Sequence, residues 1–174
     1  AIQANPWLDQ YHLGFAQTNL LLASALVTKP NPSEQERQTA TALVDQSIKE
    51  ARTAAELAPL NVANWETLAQ IYRNIAGSVP DASTWALQAY QQALNTDPPN
   101  PQLRLDIGGL FFAAQQYDAA IQQFQLATQL KPNLANTWYN LANAFQKKEM
   151  YQEALQAYAQ AKPLVTAGSA EEQQ

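Results

Sequence analysis

Four prolines recur along the chain, and each follows an alanine by five residues. The pairs are Ala1 and Pro6, Ala54 and Pro59, Ala93 and Pro98, and Ala127 and Pro132. Successive prolines are 53, 39 and 34 residues apart. The last interval contains no insertion, so the base period is 34 residues, and the earlier intervals carry nineteen and five extra residues. A self-similar period of roughly 20 to 50 residues indicates a repeat architecture.

Apolar and small residues keep the same frame inside each repeat. A large apolar residue stands nine positions after the proline, a small residue follows it, and an aromatic stands thirteen positions after each of the last three prolines. These residues are Phe15, Leu68, Ile107 and Leu141, then Ala16, Ala69, Gly108 and Ala142, then Tyr72, Phe111 and Phe145. The pattern predicts two antiparallel helices per repeat, with the proline ending the second helix. One such pair cannot bury its own apolar face, so the pairs must stack.

The composition favours helix throughout the chain. The sequence has 32 alanines and 23 glutamines, which are good helix formers, and its β-branched residues never form the alternating runs of strands. Ser33 and Glu36 have the spacing of a capping box and predict a helix start. Eight helices are expected near residues 6–27, 33–58, 62–76, 82–96, 101–114, 118–130, 135–147 and 151–165, with an inserted loop at 77–83.

The repeat frame resembles the tetratricopeptide repeat (TPR) family. The residues that carry the resemblance are Gly108, Phe111, Ala120, Phe124, Ala127, Pro132, Trp138, Leu141, Ala142, Phe145, Ala154, Tyr158 and Ala161. It covers residues 60–166 most fully and is less complete over 1–59, where Asn19 and Ala51 replace large side chains. The resemblance implies an all-α fold, a right-handed α-solenoid of antiparallel helix pairs with about eight helices.

The same frame gives the expected domain organisation. Residues 1–166 are predicted to form a single TPR-like solenoid, with a divergent pair at 7–58 and repeats near 62–100, 101–134 and 135–166. Position 166 is Thr where the series would place a proline, so residues 167–174 are expected to be a frayed tail or linker. The chain begins with Ala1 and a half repeat up to Pro6, which predicts that it is part of a longer protein.

Composition and charge argue against chemistry by this chain alone. There is no cysteine and one histidine, His12, so thiolate and multi-histidine metal sites are excluded. His12 occupies a position where later repeats have Trp65 and Trp138, and is expected to be a packing residue. We therefore predict no catalytic residues, no metal and no cofactor. The net charge of −5 argues against nucleic acid as a partner, and no apolar run is long enough for membrane insertion.

In the TPR family, the first helices of the pairs line a concave groove that holds extended peptides. The resemblance therefore implies a peptide-binding groove here, and a polar and aromatic set on one helix face provides the candidate residues. These are Asn136, Tyr139, Asn140, Asn143, Asp106 and Phe112.

The chemistry of this groove has three interpretations. One family pattern, the carboxylate clamp, requires lysines and arginines in the groove. This sequence has Glu66, Asp106 and Asn136 at those positions, which argues against a clamp. A ladder of amides that hydrogen-bonds a peptide backbone fits Asn140, because an amide both donates and accepts. Alternatively, these polar residues only solvate an exposed helix face. The ladder and the solvated face are left as equal alternatives.

Three function hypotheses follow. The first is a non-catalytic scaffold that binds a protein or peptide partner through the concave groove. The alternative is an accessory repeat domain of a larger membrane-bound enzyme of bacterial surface-polysaccharide assembly, which the resemblance of the Asn5 to Asp9 segment to such junctions suggests. The third is weak self-association, through the apolar segment 20–22 or through an uncapped terminal helix. The sequence does not indicate a cell compartment.

Overall fold

The computed structural model describes residues 8–171 and the side-chain environments of residues 8–165. This part of the chain contains eight α-helices and no strand: α1 (Leu8–Val27), α2 (Glu34–Leu57), α3 (Val62–Ile75), α4 (Ala82–Thr96), α5 (Pro101–Ala113), α6 (Tyr117–Leu130), α7 (Ala135–Lys147) and α8 (Tyr151–Glu171). The predicted all-α class is confirmed. The predicted half repeat at 1–6 lies outside the described residues.

Side-chain caps begin three of these helices. The Asn61 and Asn100 side chains, each two residues after a repeat proline, accept backbone N–H groups of α3 and α5. Ser33 and Glu36 form the predicted capping box of α2. A hydrogen bond from Lys29, followed by those from Ser33, lowers the pKa of Glu36 to about 2. The caps satisfy N–H groups that have no partner within the helix.

The helices form two compact units, residues 1–97 and 98–174. The boundary lies in the segment Asp97–Pro98–Pro99–Asn100–Pro101, where three prolines restrict the backbone. That residues 1–166 form a single solenoid stays a prediction. Unit 1 contains the pairs α1–α2 and α3–α4, with α2 also against α3, and unit 2 contains α5–α6 and α7–α8, with α6 also against α7.

In the first pair of unit 1, small residues lie between the helices. Ala16 and Ala23 of α1 are buried, as are Ala40, Ser47 and Ala51 of α2. The Ser47 hydroxyl donates to the Ala16 carbonyl at 2.7 Å. These short side chains let the two backbones approach closely, as the frame predicts for Ala16.

A buried carboxylate ties α1 to the start of α3. Asn61 Nδ2 and Asn64 Nδ2 donate to Asp9 Oδ2 at 2.9 and 3.0 Å, and Asn64 Nδ2 also donates to the Ala54 carbonyl at 3.0 Å. The hydrogen bonds from Asn64 and Asn61 favour the charged carboxylate and hold the pKa of Asp9 below its ordinary value of 3.8. This polar tie therefore depends on an ionised Asp9.

Unit 2 is built around large apolar side chains that interlock with small ones. Its core contains Leu105, Phe124, Leu141, Ala142 and Phe145, with neighbouring alanines of α6, α7 and α8. A Cβ added at Gly108 would overlap Cε1 of the Phe124 ring. Glycine is therefore favoured at position 108, because the Phe124 ring fills the space that a methyl group would occupy, whereas the other repeats hold Ala16, Ala69 and Ala142 at this position.

Each turn within a helix pair contains one residue other than glycine with a left-handed backbone. The four residues are Asn31, Asp81, Gln115 and Glu149, with φ between 59° and 63°. Gln115 and Glu149 stand seventeen residues after Pro98 and Pro132, so the turn conformation is repeated with the sequence frame.

The helix α4 spans Ala82–Thr96, as predicted, so the inserted loop ends at Asp81 rather than at residue 83. One helix boundary differs from the prediction. The helix α8 continues to Glu171 with Pro163 inside it, beyond the array end expected at 166. The expected tail at 167–174 is thus helical to 171, and residues 172–174 lie outside the described residues.

Candidate functional site

The described residues hold no cluster of side chains typical of a metal centre. Among residues 8–171, no group of three or more His, Asp and Glu side chains lies close enough together to hold a metal ion. His12 is half-buried, and its Nδ1 lies 2.6 Å from Glu50 Oε2 on α2. This histidine therefore makes a polar contact between the first two helices as well as occupying a packing position. None of the helices in this part of the chain is both long and apolar enough to cross a bilayer.

The predicted asparagines lie together on α7. Asn136 is exposed, and Asn140 and Asn143 are half-buried. The Asn140 Nδ2 atom donates to the Asn136 carbonyl at 2.7 Å and to Asn136 Oδ1 at 2.9 Å. The donor that an amide ladder would offer to a peptide is therefore engaged within the helix, and a bound backbone would have to displace these contacts.

Helix α8 contributes Tyr158, which is not among the predicted site residues. Tyr158 packs edge-on against Tyr139, with ring centroids 5.7 Å apart, and its hydroxyl donates to Asn143 Oδ1 at 2.5 Å. Burial raises the pKa of Tyr158, followed by a smaller effect of Tyr139, so the hydroxyl remains a donor. Its place in the repeat frame, equivalent to Phe124, is visible in the sequence, but its hydroxyl contact with α7 is not.

A groove opens between α7 and α8 beside these residues, and we call it the α7–α8 groove. Its volume is about 610 Å³. The lining residues are Ala135, Asn136, Tyr139, Tyr158, Ala161, Lys162 and Val165. Tyr139 and Val165 are 54% and 61% exposed, so both side chains present surface to the groove. The groove thus offers mainly apolar and aromatic surface with Asn136 and Lys162 at its polar positions.

The other two predicted site residues lie on α5 and do not line this groove. Asp106 accepts a hydrogen bond from Gln102 Nε2 at 3.3 Å. Phe112 is half-buried against the core of unit 2 and packs edge-on against Tyr117 at 5.4 Å. Four of the six candidates are therefore grouped on α7, whereas Asp106 and Phe112 have local partners on or near their own helix.

The same repeat positions can be compared within unit 2. Tyr139 and Tyr158 are equivalent to Leu105 and Phe124, which stand 34 residues earlier. Leu105 and Phe124 are 7% and 1% exposed, and they lie in one buried cluster with residues of α7. The α5–α6 surface is thus covered by a helix, whereas the equivalent α7–α8 surface is open within the described residues.

Comparisons with known proteins agree with the repeat frame. Residues 108–149 match the family model for the TPR repeat. This segment therefore has the sequence of the TPR repeat. A crystal structure of MamA aligns with a TM-score of 0.66 and 15% identity over 89% of this chain and 81% of that one. A second MamA structure gives 0.62 and 17% identity over 93% and 97%. These similarities confirm the predicted TPR-type solenoid fold class.

Two curated relatives share sequence with the TPR segment. One is the chloroplastic tetratricopeptide repeat domain-containing protein PYG7 of Arabidopsis thaliana, 30% identical over 79 residues. The other is the peroxisomal targeting signal receptor of Kluyveromyces lactis, 30% identical over 80 residues. Each alignment covers 45% of this chain but only 26% and 14% of the relatives. A TPR repeat protein is consistent with an interaction scaffold, and these similarities give no support to the polysaccharide-assembly alternative.

Proposed function

We propose that this chain is a non-catalytic interaction module that binds a helical segment of a partner protein in the α7–α8 groove. The observation that carries the proposal is the repeat comparison within unit 2. At the earlier repeat, Leu105 and Phe124 are buried against α7. At the later repeat, Tyr139 is 54% exposed beside an open groove.

The shape and chemistry of the groove support this choice of ligand. A volume of about 610 Å³ lies within the range of roughly 300 to 1,000 Å³ that is common for ligand sites. Amphipathic helices bind apolar grooves through side chains at i, i+3, i+4 and i+7. Tyr139, Tyr158 and Val165 provide the apolar contacts, and Asn136 provides amide groups at the edge.

The residues of α7 provide a defined probe, because α7 occupies the equivalent surface one repeat earlier. A fluorescently labelled synthetic peptide of residues 133–149 is titrated with the full chain, and binding is followed by anisotropy. We expect saturable binding that Val165→Asp weakens by about tenfold or more, because a carboxylate would be desolvated beside two tyrosine rings.

Leu155→Asp is the matched control, since Leu155 is also on α8, is 63% exposed and does not line the groove. We expect this variant to bind the peptide like the unmodified chain. Failure of the unmodified chain to bind the peptide, or equal loss in both variants, would contradict the proposal. The double variant Asn140→Ala and Asn143→Ala tests whether the amides contribute to peptide binding. Unchanged affinity of this variant would mean that the apolar contacts alone bind the peptide.

A further inference from the structure

A second groove lies in unit 1, where α2 and α4 flank α3, and we call it the aromatic groove. Its volume is about 450 Å³. The lining residues are Arg52 and Glu56 of α2, Trp65, Leu68 and Tyr72 of α3, and Trp85, Gln88, Ala89 and Gln92 of α4. Trp65 and Trp85 are both half-buried, so each ring presents part of its surface to the groove.

The aromatic side chains are fixed by contacts with their neighbours. Arg52 Nε donates to Tyr72 Oη at 2.6 Å, and the guanidinium carbon lies 5.6 Å from the centre of the Tyr72 ring. The Tyr72 and Trp85 rings are 5.5 Å apart. The Trp65 indole donates to the Pro59 carbonyl at 2.8 Å. A ligand would therefore meet a largely preformed surface, which reduces the entropy lost on binding.

The repeat architecture does not require these residues. Positions equivalent to Tyr72 hold Phe111 and Phe145, which pack without a hydroxyl group. The position of Arg52, seven residues before the proline, holds glutamine in the later repeats, at Gln91 and Gln125. The position of Trp85 holds Ala119 in the next repeat. The hydroxyl, the guanidinium and the second indole are thus additions specific to this groove.

We propose that the aromatic groove binds a proline-rich partner segment in the polyproline II conformation. Such segments bind grooves lined by aromatic side chains, because the flat face of a proline ring packs on an indole or phenol ring. From Trp85 to Gln92 the α4 wall extends about 10 Å, at a rise of about 1.5 Å per residue. One turn of polyproline II contains three residues and spans about 9 Å, so the groove accommodates one turn.

The charges and hydrogen-bonding groups of the groove match this ligand. Arg52 and Glu56 are one helical turn apart and offset each other, which suits a segment without net charge. Arg52 is a donor, and the amides of Gln88 and Gln92 can donate as well. A polyproline II segment has carbonyl acceptors without internal partners, and its prolines have no N–H group. Since the Tyr72 ring already interacts with Arg52, a second cation would be repelled there.

The test uses the full chain and a labelled, acetylated hexaproline peptide, with a glycine–serine peptide of the same length for comparison. We expect saturable binding of hexaproline by fluorescence anisotropy and at least about tenfold weaker binding of the glycine–serine peptide. The Trp85→Ala variant should lose about tenfold or more in affinity, because it removes one wall of the groove. Alanine is the natural residue at the equivalent position of the next repeat, so the helix pair should still fold, as circular dichroism will check.

Two further variants make the outcome decisive. Arg52 is exposed on α2, and Arg52→Gln introduces the residue found in the later repeats. This variant should weaken hexaproline binding without loss of fold. Val165→Asp, in the other groove, should leave hexaproline binding unchanged. No binding by the unmodified chain, equal binding of both peptides, or unchanged affinity in both Trp85→Ala and Arg52→Gln would overturn the proposal.

Discussion

The first helix pair of unit 1 and the four helices of unit 2 pack through different kinds of side chain. Between α1 and α2, alanines and Ser47 are buried, while Tyr11, Phe15, Leu21 and Leu22 are exposed. In unit 2, Phe124 and Phe145 are buried among alanines, and Gly108 makes room for the Phe124 ring. Large side chains thus face outward in one region and inward in the other.

This difference determines how strongly the burial of apolar surface stabilises each region. Buried alanines remove little apolar surface from water, whereas a buried phenylalanine removes much more. The α1–α2 pair supplements its small core with directed polar contacts, such as those of Asp9 with Asn61 and Asn64 at the start of α3. It also leaves Leu21 and Leu22 71% and 49% exposed, so the surface on which the self-association hypothesis rests is accessible.

The largest expected effect is the removal of the central ring of unit 2. Phe124→Ala should lower the free energy of unfolding by about 3 to 5 kcal/mol, because it deletes buried apolar contacts and leaves a cavity beside Gly108. Chemical denaturation followed by circular dichroism measures the loss. Leu126→Ala on the same helix is the control, since Leu126 is 39% exposed and should cost far less. Similar losses in the two variants would contradict the apolar interlock in unit 2.

The polar tie in unit 1 should give a smaller effect that depends on pH. At neutral pH, Asn64→Ala should cost about 2 to 3 kcal/mol, because it removes a hydrogen bond to a charged, buried carboxylate. Since the pKa of Asp9 is lowered in the folded protein, the stabilisation is present above its ordinary value of 3.8. It is lost as the pH falls through the lowered pKa.

The measurement is denaturant unfolding of the unmodified chain and Asn64→Ala from neutral pH to well below 3.8. The stability difference between them should shrink as Asp9 becomes protonated. Asn74→Ala, an exposed change on the same helix, should show neither the loss nor the pH dependence. If the difference in unfolding free energy between the unmodified chain and Asn64→Ala does not change with pH, the hydrogen bond from Asn64 to Asp9 is not its cause.

The smallest expected effect is a gain in stability at a turn of unit 2. Gln115 has a φ of 60°, which is unfavourable for residues with a Cβ atom and readily adopted by glycine. Gln115→Gly should therefore raise the free energy of unfolding by up to about 1 kcal/mol, the relief being partly offset by the greater freedom of the unfolded chain. Gln116→Gly, at a residue with a φ of −87°, should bring no gain, and equal stability changes in both would reject this explanation.

The fold was accessible from the sequence because its signals are local. Prolines, the capping box and small residues at fixed spacing indicate helix ends and inner faces, as at Pro98, Ser33 and Gly108, whereas the caps at Asn61 and Asn100 were not predicted. The extension of α8 could not be predicted, since the absence of a proline at position 166 indicates an end to the array. The helix instead continues through Pro163 to Glu171.

The candidate site was only partly accessible for a different reason. The asparagines of α7 share a helix face, so their grouping follows from helical spacing. The contact of Tyr158 with Asn143 joins two helices, and the tie between Asp9 and Asn64 joins residues 55 apart in the sequence. Such contacts depend on how helices pack, which residue spacing within one helix does not reveal. Phe112 is a further example, because its ring contact with Tyr117 joins α5 to α6.

The longer connection between α3 and α4 has a consequence for altering this protein. Its six residues, 76–81, replace the three residues that join α5 to α6, while the helices on either side differ by only one residue in length. The pairing of α3 with α4 thus tolerates a change of linker length, and Gly77 in the connection is exposed with open space around its Cα. This loop is therefore a suitable position for inserting an epitope tag or a fluorescent reporter.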